Sequence, residues 1–327
     1  MRVLVTGASG LLGGAVARLL VQQGHNVATF QRRPSGVDHA TDILGSLTDQ
    51  AAVADAVRGV AGIIHLAAKV SFTGRPEDFD AVNVEGTRTL LAAAQAAGVA
   101  DVVFVSSPSV ANSGAAIAGL GAEPACPAKA HGDYSRTKAE AELLALAADG
   151  PDLRVAAIRP HIVWGPGDTQ LVERVLARAG SGRLPLLDAG AALIDTTYID
   201  NAASAIVAGL HRVEHIHGRA LVVSNGEPRP VGELLAGICA AGGVPAPSWT
   251  VPGGLARTVG KVVEKLWLLS GQSDEPPMTE FLAEQLSTAH WFDQRETRRL
   301  LDWSPAVTLD AGLAKLAQHY RGGYAAR

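Results

Sequence analysis

The chain is predicted to be an α/β protein on a doubly wound parallel sheet, and three observations predict it. Short β-branched runs alternate with alanine-rich stretches of helical period. The first run passes straight into a glycine-rich turn, Thr6-Gly7-Ala8-Ser9-Gly10-Leu11-Leu12-Gly13. At 327 residues, 47% hydrophobic and 18% charged, the chain has enough apolar material to cover both faces of such a sheet. Strands are expected at about 2–6, 26–31, 37–44, 62–67, 101–106, 154–159 and 220–224. Helices are expected at about 11–23, 49–58, 79–97, 133–148 and 199–212, the second and third stopping at Gly59 and Gly98, since glycine enters the left-handed conformation that ends a helix.

Bulk properties exclude several roles. The net charge of -4 supplies no field for nucleic acid or an anionic membrane. Cys126 and Cys239 have neither metal-ligand nor redox-pair spacing, so they are expected as free thiols in a reducing compartment, with no metal site. The first strand begins at once, which leaves no room for a signal segment, and no apolar run approaches the ~20 residues that span a bilayer. A cytoplasmic protein is expected.

A strand, a turn with Gly7, Gly10 and Gly13, and a helix in that order form the context in which backbone N–H groups and a helix N-terminus hold a pyrophosphate. Glycine allows positive φ, close backbone approach to a phosphate, and tight helix-on-strand packing. The expected fold is therefore Rossmann-type, with Gly7, Ser9, Gly10, Leu11, Leu12 and Gly13 along the dinucleotide. Enzymes that take the unphosphorylated cofactor place an acid at the end of the second strand for the ribose 2′-hydroxyl. Here the strand ends Phe30-Gln31-Arg32-Arg33, and two guanidinium groups suit a 2′-phosphate instead. NADP(H) is favoured, with NAD(H) as the alternative.

Tyr134 and Lys138 lie four residues apart, on one face of a predicted helix, so an ammonium sits beside a phenol and is expected to ease its deprotonation. The strand before them ends in hydroxyls, Ser106-Ser107-Pro108-Ser109, at the sheet edge where parallel sheets bind ligands. One of these hydroxyls should face a substrate.

The spacing of the three glycines, with Tyr134-x-x-x-Lys138, resembles the extended branch of the short-chain dehydrogenases/reductases over nearly the whole chain. The resemblance makes Ser107, in Ser-Ser-x-x-Val, the catalytic hydroxyl; Tyr134 donates a proton to a carbonyl that receives hydride, Ser107 stabilises the developing oxyanion, and Lys138 also bonds the nicotinamide ribose. It makes Asn83, in Val82-Asn83-Val84-Glu85-Gly86-Thr87, the structural and proton-relay asparagine. It lays the backbone of Leu66, Ala67, Ala68 and Lys69 along the cofactor and brings Pro160, His161 and Val163 to its nicotinamide end. Where many relatives carry an aspartate for adenine, Ser46 stands here, beside Leu47.

Two further segments, Arg159-Pro160-His161-Ile162-Val163-Trp164-Gly165-Pro166-Gly167-Asp168 and Tyr198-Ile199-Asp200-Asn201-Ala202, look like the 3β-hydroxysteroid dehydrogenase-like group. Ala67-Ala68-Lys69-Val70, Ser107-Pro108-Ser109-Val110 and Thr288-Ala289-His290-Trp291-Phe292-Asp293 look most like the bacterial 2-alkyl-3-oxoalkanoate reductases of long-chain olefin biosynthesis. That likeness implies NADPH-dependent reduction of the 3-keto group of a long-chain 2-alkyl-3-oxoalkanoic acid to a hydroxy acid that a partner enzyme cyclises to a β-lactone. A 3β-hydroxysteroid or sterol dehydrogenase is the nearest alternative, and a non-catalytic dinucleotide-binding regulator the alternative of another class. A nucleotide-sugar epimerase is disfavoured by the apolar, aromatic C-terminal half.

Composition shifts after Pro160, and four of the five tryptophans fall beyond 226. Residues 1–168 and 190–225 are expected to form the dinucleotide domain, and 169–189 and 226–327 a smaller, mostly helical substrate domain. Lys69 and His161 are the expected substrate contacts, Lys69 for an acid. The stretch 255–269 carries Arg257, Lys261 and Lys265 at four-residue steps opposite an apolar face, suited to an alkyl pocket, to peripheral contact with a membrane or partner enzyme, or simply to packing on the core. A homodimer paired through 79–97 and 133–148 is expected from the family.

Overall fold

The computed structural model describes residues 1–70, 74–111, 114–270 and 280–322. Its centre is a parallel sheet of β1 (Arg2–Thr6), β2 (Asn26–Gln31), β3 (Thr41–Leu44), β4 (Gly62–His65), β5 (Asp101–Val105) and two further strands, Arg154–Pro160 and Ala220–Val223. Across the sheet the order is 220–223, 154–160, β5, β4, β1, β2, β3. The chain leaves β1 toward β2 and β3, then returns to lay β4 on its other side, with Thr6 opposite His65. Such a reversal opens a crevice at the strand ends, where ligands bind in folds of this kind.

Alternation along each strand divides the side chains between two cores. Val3, Val5, Val103 and Ile158 pack with Val16, Leu20, Ile206 and Leu210 on one face. Leu4, Ile63, Val102 and Phe104 pack with Val53, Leu90, Leu91 and Ala141 on the other. Each fully buried side chain of this size contributes about 1.5–3 kcal/mol, so both helical layers are held by apolar contact.

The helices Leu11–Gln22, Gln50–Ala56, Gly86–Ala96, Gly132–Ala147 and Ile199–His211 lie where the periodicity predicts them. Two details differ. The third strand starts at Thr41 rather than 37, because the positive φ of Gly36 and His39 breaks the extended run before it. The helix expected over 79–97 starts at Pro76 and is π-helical over Asp80–Glu85 before it becomes regular.

A second, four-stranded sheet is ordered Arg229–Pro230, Leu193–Ile194, His290–Phe292, Ile117–Leu120. Its strands come from segments on both sides of the expected domain boundaries. The helices Val231–Gly242 and Leu309–Arg321 pack with Val172–Gly180 around Trp164, Val175, Ile238 and Leu316. The stretch 255–269 falls within a helix, Gly253–Ser270, with Leu255 and Val259 exposed; the side chains of Lys265 and Trp267 lie outside the described residues. Among the described residues no helix is long and apolar enough to cross a membrane.

Candidate active site

The glycine turn closes on the loop after β4. Gly7 has φ +77°, and a Cβ there would stand 2.9 Å from the Ala67 backbone; at Gly13 it would meet the Gly7 carbonyl oxygen at 2.3 Å. Both positions need glycine for space. Gly10 caps the helix Leu11–Gln22 without a side-chain acceptor, and no acid occupies the first turn. The leading N–H groups and the positive end of the helix dipole are thus left for an external anion, which fits a dinucleotide pyrophosphate. Ser9 is exposed, while Leu11 and Leu12 pack toward the Trp164 core, so they contribute to the turn through backbone.

At the end of β2, Gln31 is buried and donates to Thr29 Oγ1 (2.9 Å) and Asp42 Oδ1 (3.1 Å). Arg32 and Arg33 are exposed and make no ion pair or side-chain hydrogen bond among the described residues. The sequence reading missed Asp42, on the neighbouring strand. Burial pulls its carboxyl upward, but donors from Thr29, Ser35 and Gln31 outweigh this and hold it below the usual range. Asp42 therefore stays ionised, and Arg32 and Arg33 are the cations this strand end presents. Ser46 turns its hydroxyl to Thr48 Oγ1 (2.8 Å), and Leu47 is buried against Gly86.

Beneath the crevice runs a buried hydrogen-bonded chain. Thr6 Oγ1 accepts from Leu66 N (3.1 Å) and Ala67 N (3.0 Å) and contacts His65 Nδ1 at 2.7 Å. His65 Nε2 lies 3.0 Å from Thr87 Oγ1, which donates to the Asn83 carbonyl at 2.6 Å. A hydroxyl has one proton, so Thr87 must accept from Nε2–H, and Nδ1 then accepts from Thr6. His65 is therefore neutral, in keeping with a pKa lowered to about 3 by burial and by the charge of Lys138. Asn83, 1% exposed, takes Lys69 N on Oδ1 (2.7 Å) and gives Nδ2 to Lys69 O (3.2 Å) and Thr137 Oγ1 (3.0 Å). The π-helical turn that carries Asn83 thus ties the loop after β4 to the helix of Tyr134 and Lys138. Ala68, half-buried, sits within the same tied loop.

That helix starts at Gly132 and sets the Tyr134 phenol close enough to the side chain of Ser107 to feel its hydroxyl. Ser107 in turn accepts from Ser109 N (3.3 Å) and shares a hydrogen bond with Ser109 Oγ (3.0 Å), which fixes it at the head of the turn Pro108–Val110. Lys138 is 3% exposed, donates Nζ to Val105 O at 2.8 Å and sits 4.0 Å over the Phe104 ring. Burial lowers its pKa to about 7, against an upward pull from Glu142. Burial also pushes the Tyr134 phenol up to about 12, only partly offset by Ser107. The expected easing of the phenol by Lys138 is corrected accordingly: the lysine is held by Val105 and is itself stripped of water, so desolvation dominates both groups.

The two expected substrate contacts are otherwise engaged. Lys69 Nζ pairs with Asp78 at 3.0 Å and lies 5.0 Å over the Phe79 ring. His161 is 6% exposed, bonds the Asp195 carbonyl through Nδ1 and meets His290 and Phe292 edge-on; burial lowers its pKa to about 3. Its side chain faces the second sheet. Pro160 ends the strand before it, and Val163 pairs with Thr197. Sequence reasoning also missed the ion pair of Arg159 with Glu142, each 1% exposed, in which Arg159 Nη1 additionally donates to Glu123 O at 2.7 Å. The signal was available: Glu142 lies four residues beyond Lys138, on the face that must be buried for Tyr134 to work.

Residues 3–224 match the model of the NAD dependent epimerase/dehydratase family. The chain is 40% identical to a 2-alkyl-3-oxoalkanoate reductase of Stenotrophomonas maltophilia, across 97% of this chain and 98% of that one. It is 30% identical to a 3-beta-hydroxysteroid dehydrogenase of Mycolicibacterium neoaurum, across 98% and 91%. Among solved structures, a short-chain dehydrogenase/reductase superfamily protein of Agrobacterium tumefaciens with bound NAD is 25% identical and superposes with a TM-score of 0.76 over 99% of this chain and 98% of that one. The chain belongs to the NAD dependent epimerase/dehydratase family, the extended branch of the short-chain dehydrogenases/reductases, and is a nicotinamide-dinucleotide oxidoreductase.

Proposed function

We propose that this protein is an NADPH-dependent ketoreductase that converts the 3-keto group of a long-chain 2-alkyl-3-oxoalkanoic acid to the 3-hydroxy acid, in the service of olefin synthesis. The observation that carries the reading is the Tyr134 phenol beside the Ser107 hydroxyl, on a helix that also buries Lys138 against the Val105 carbonyl at the C-terminal edge of the sheet. A phenol above its ordinary pKa holds its proton at neutral pH and is poised to give it to a carbonyl oxygen that gains negative charge; the Ser107 hydroxyl adds a second hydrogen bond there. Gly7, Gly10 and Gly13 would hold the cofactor's pyrophosphate and Arg32 and Arg33 its 2′-phosphate, and the bound nicotinamide supplies the hydride. Asn83 keeps the Lys69 backbone and the catalytic helix in register.

The relative at 40% identity favours the keto acid, and the steroid dehydrogenase at 30% supports a second reading, oxidation of a 3β-hydroxysteroid. One assay separates them: NADPH oxidation with a 2-alkyl-3-oxo acid against NAD(P)⁺ reduction with a 3β-hydroxysteroid. Turnover of the keto acid is expected, and turnover of the steroid alone would overturn the proposal. In the same assay Arg32→Ala/Arg33→Ala should raise KM for NADPH by about 10-fold or more, the worth of charge-assisted hydrogen bonds, and leave KM for NADH unmoved. An unchanged NADPH preference would defeat the 2′-phosphate argument.

A further inference from the structure

One residue beyond Ser107, at Pro108, the chain borders a cavity of about 280 Å³ to which the roles assigned so far give no use. Pro108, directly after Ser107, and Ala111 form one wall; Ile117, Leu120, Val222 and Phe292 give it an apolar lining. The volume approaches the lower end of small-molecule sites, about 300 Å³.

Three charged residues also reach this cavity: Arg159, Glu123 and Lys129. Arg159 is buried and locked to Glu142. Glu123 is exposed, and its carbonyl is held by Arg159. Lys129 is exposed, and its side chain makes no ion pair or hydrogen bond among the described residues. It ends the turn Pro127–Lys129, which packs on the helix Gly132–Ala147, and it also lines a second, more open hollow with Ala128, Ala130 and His131. Lys69, by contrast, already has Asp78.

These observations describe a receptor for an amphiphile: an apolar chamber beside the catalytic serine with one uncommitted ammonium at its rim. We infer that the cavity takes an aliphatic arm of the substrate and that Lys129 holds its carboxylate. The inference rests on the ketoreductase reading and names the subsite of that reaction. Chemistry demands proximity, since in a 2-alkyl-3-oxo acid the carboxyl carbon and the reacting carbonyl carbon are both bonded to C2. A cation for the carboxylate must therefore work beside Ser107 and Tyr134. Lys129 stands five residues before Tyr134 on a flexible four-carbon stem.

The test uses the full-length protein as wild type, Lys129→Gln, Lys129→Arg, Glu123→Gln and Ala111→Phe. Calorimetry compares tetradecanoate with its methyl ester, and steady-state kinetics compares a 2-alkyl-3-oxo acid with its methyl ester. Wild type should bind the acid at least 10-fold more tightly than the ester. Lys129→Gln should abolish that preference and raise KM for the keto acid without altering KM for its ester, and Lys129→Arg should retain it. Glu123→Gln should tighten the acid alone. Ala111→Phe should lower kcat/KM for long 2-alkyl arms at least 10-fold more than for a 2-methyl substrate, while NADPH affinity stays constant. An acid preference that survives Lys129→Gln, or an absent preference in wild type, overturns the Lys129 assignment; undiminished long-arm turnover in Ala111→Phe overturns the chamber. If no keto acid is reduced at all but fatty-acid binding responds to Lys129 as described, the ketoreductase reading fails and the subsite stands.

Discussion

Lys138 shows how a single residue is set against stability to serve a site. Its ordinary pKa of 10.5 is lowered to about 7 by burial, so between these values the unfolded chain binds a proton that the folded chain does not. Stability associated with Lys138 is therefore fully present above the unfolded pKa and is lost as pH falls through the folded one. At neutral pH most of that penalty, several kcal/mol at 1.36 kcal/mol per pKa step, is in force. Lys138→Met should remove it, against about 1 kcal/mol for the lost bond to Val105. The expected result is a Tm raised by roughly 2–4 °C with kcat lowered about 100-fold or more. A fall in Tm with the fold intact would show that the buried ammonium is a net stabiliser.

At the scale of elements, the helix Gly132–Ala147 is positioned from two sides: Asn83 bonds Thr137 near its start, and Arg159 binds Glu142 near its middle. Arg159→Met leaves the Glu142 carboxylate buried and bare, a loss of about 3–5 kcal/mol, whereas Arg159→Met/Glu142→Leu should recover most of it in urea titrations. A double variant no more stable than the single would mean that the pair is not the source of the loss. The five helices that flank the large sheet and its seven strands were legible because apolar residues repeat with the right period and glycines mark the ends. The π-helical turn at Asp80–Glu85 was not, since it is imposed by Asn83 reaching Lys69 and Thr137 across the fold. Strands of two to four residues in the second sheet, such as Leu193–Ile194 against His290, pair at separations that no local pattern reports. In the site, the glycines, Tyr134 and Ser107 were readable as motifs, but the chain Thr6–His65–Thr87–Asn83 joins three segments through hydrogen bonds alone.

The molecule as a whole is expected to be acid-labile in a definite window. His65 and His161 are each lowered to about 3 by burial, one within the crevice and one against the second sheet. Between about 3 and 6.5 the unfolded chain takes up protons at these sites that the folded chain refuses, so stability present above pH 6.5 is lost as pH falls through that range. Asp195, whose pKa burial raises, works in the opposite direction. Tm should therefore decline from pH 6.5 to 4.5, and the decline should be shallower in His65→Gln; an equal slope in that variant would contradict the neutral histidine. On the proposed reading, the crevice, the tied helix and the chamber beyond Pro108 serve one proton transfer. Its most direct test is the rate of NADPH oxidation by a 2-alkyl-3-oxo acid in Tyr134→Phe, with NADPH affinity checked by fluorescence. The account predicts intact cofactor binding and a kcat lower by about 10²–10⁴-fold; a kcat within a few-fold of wild type would contradict it.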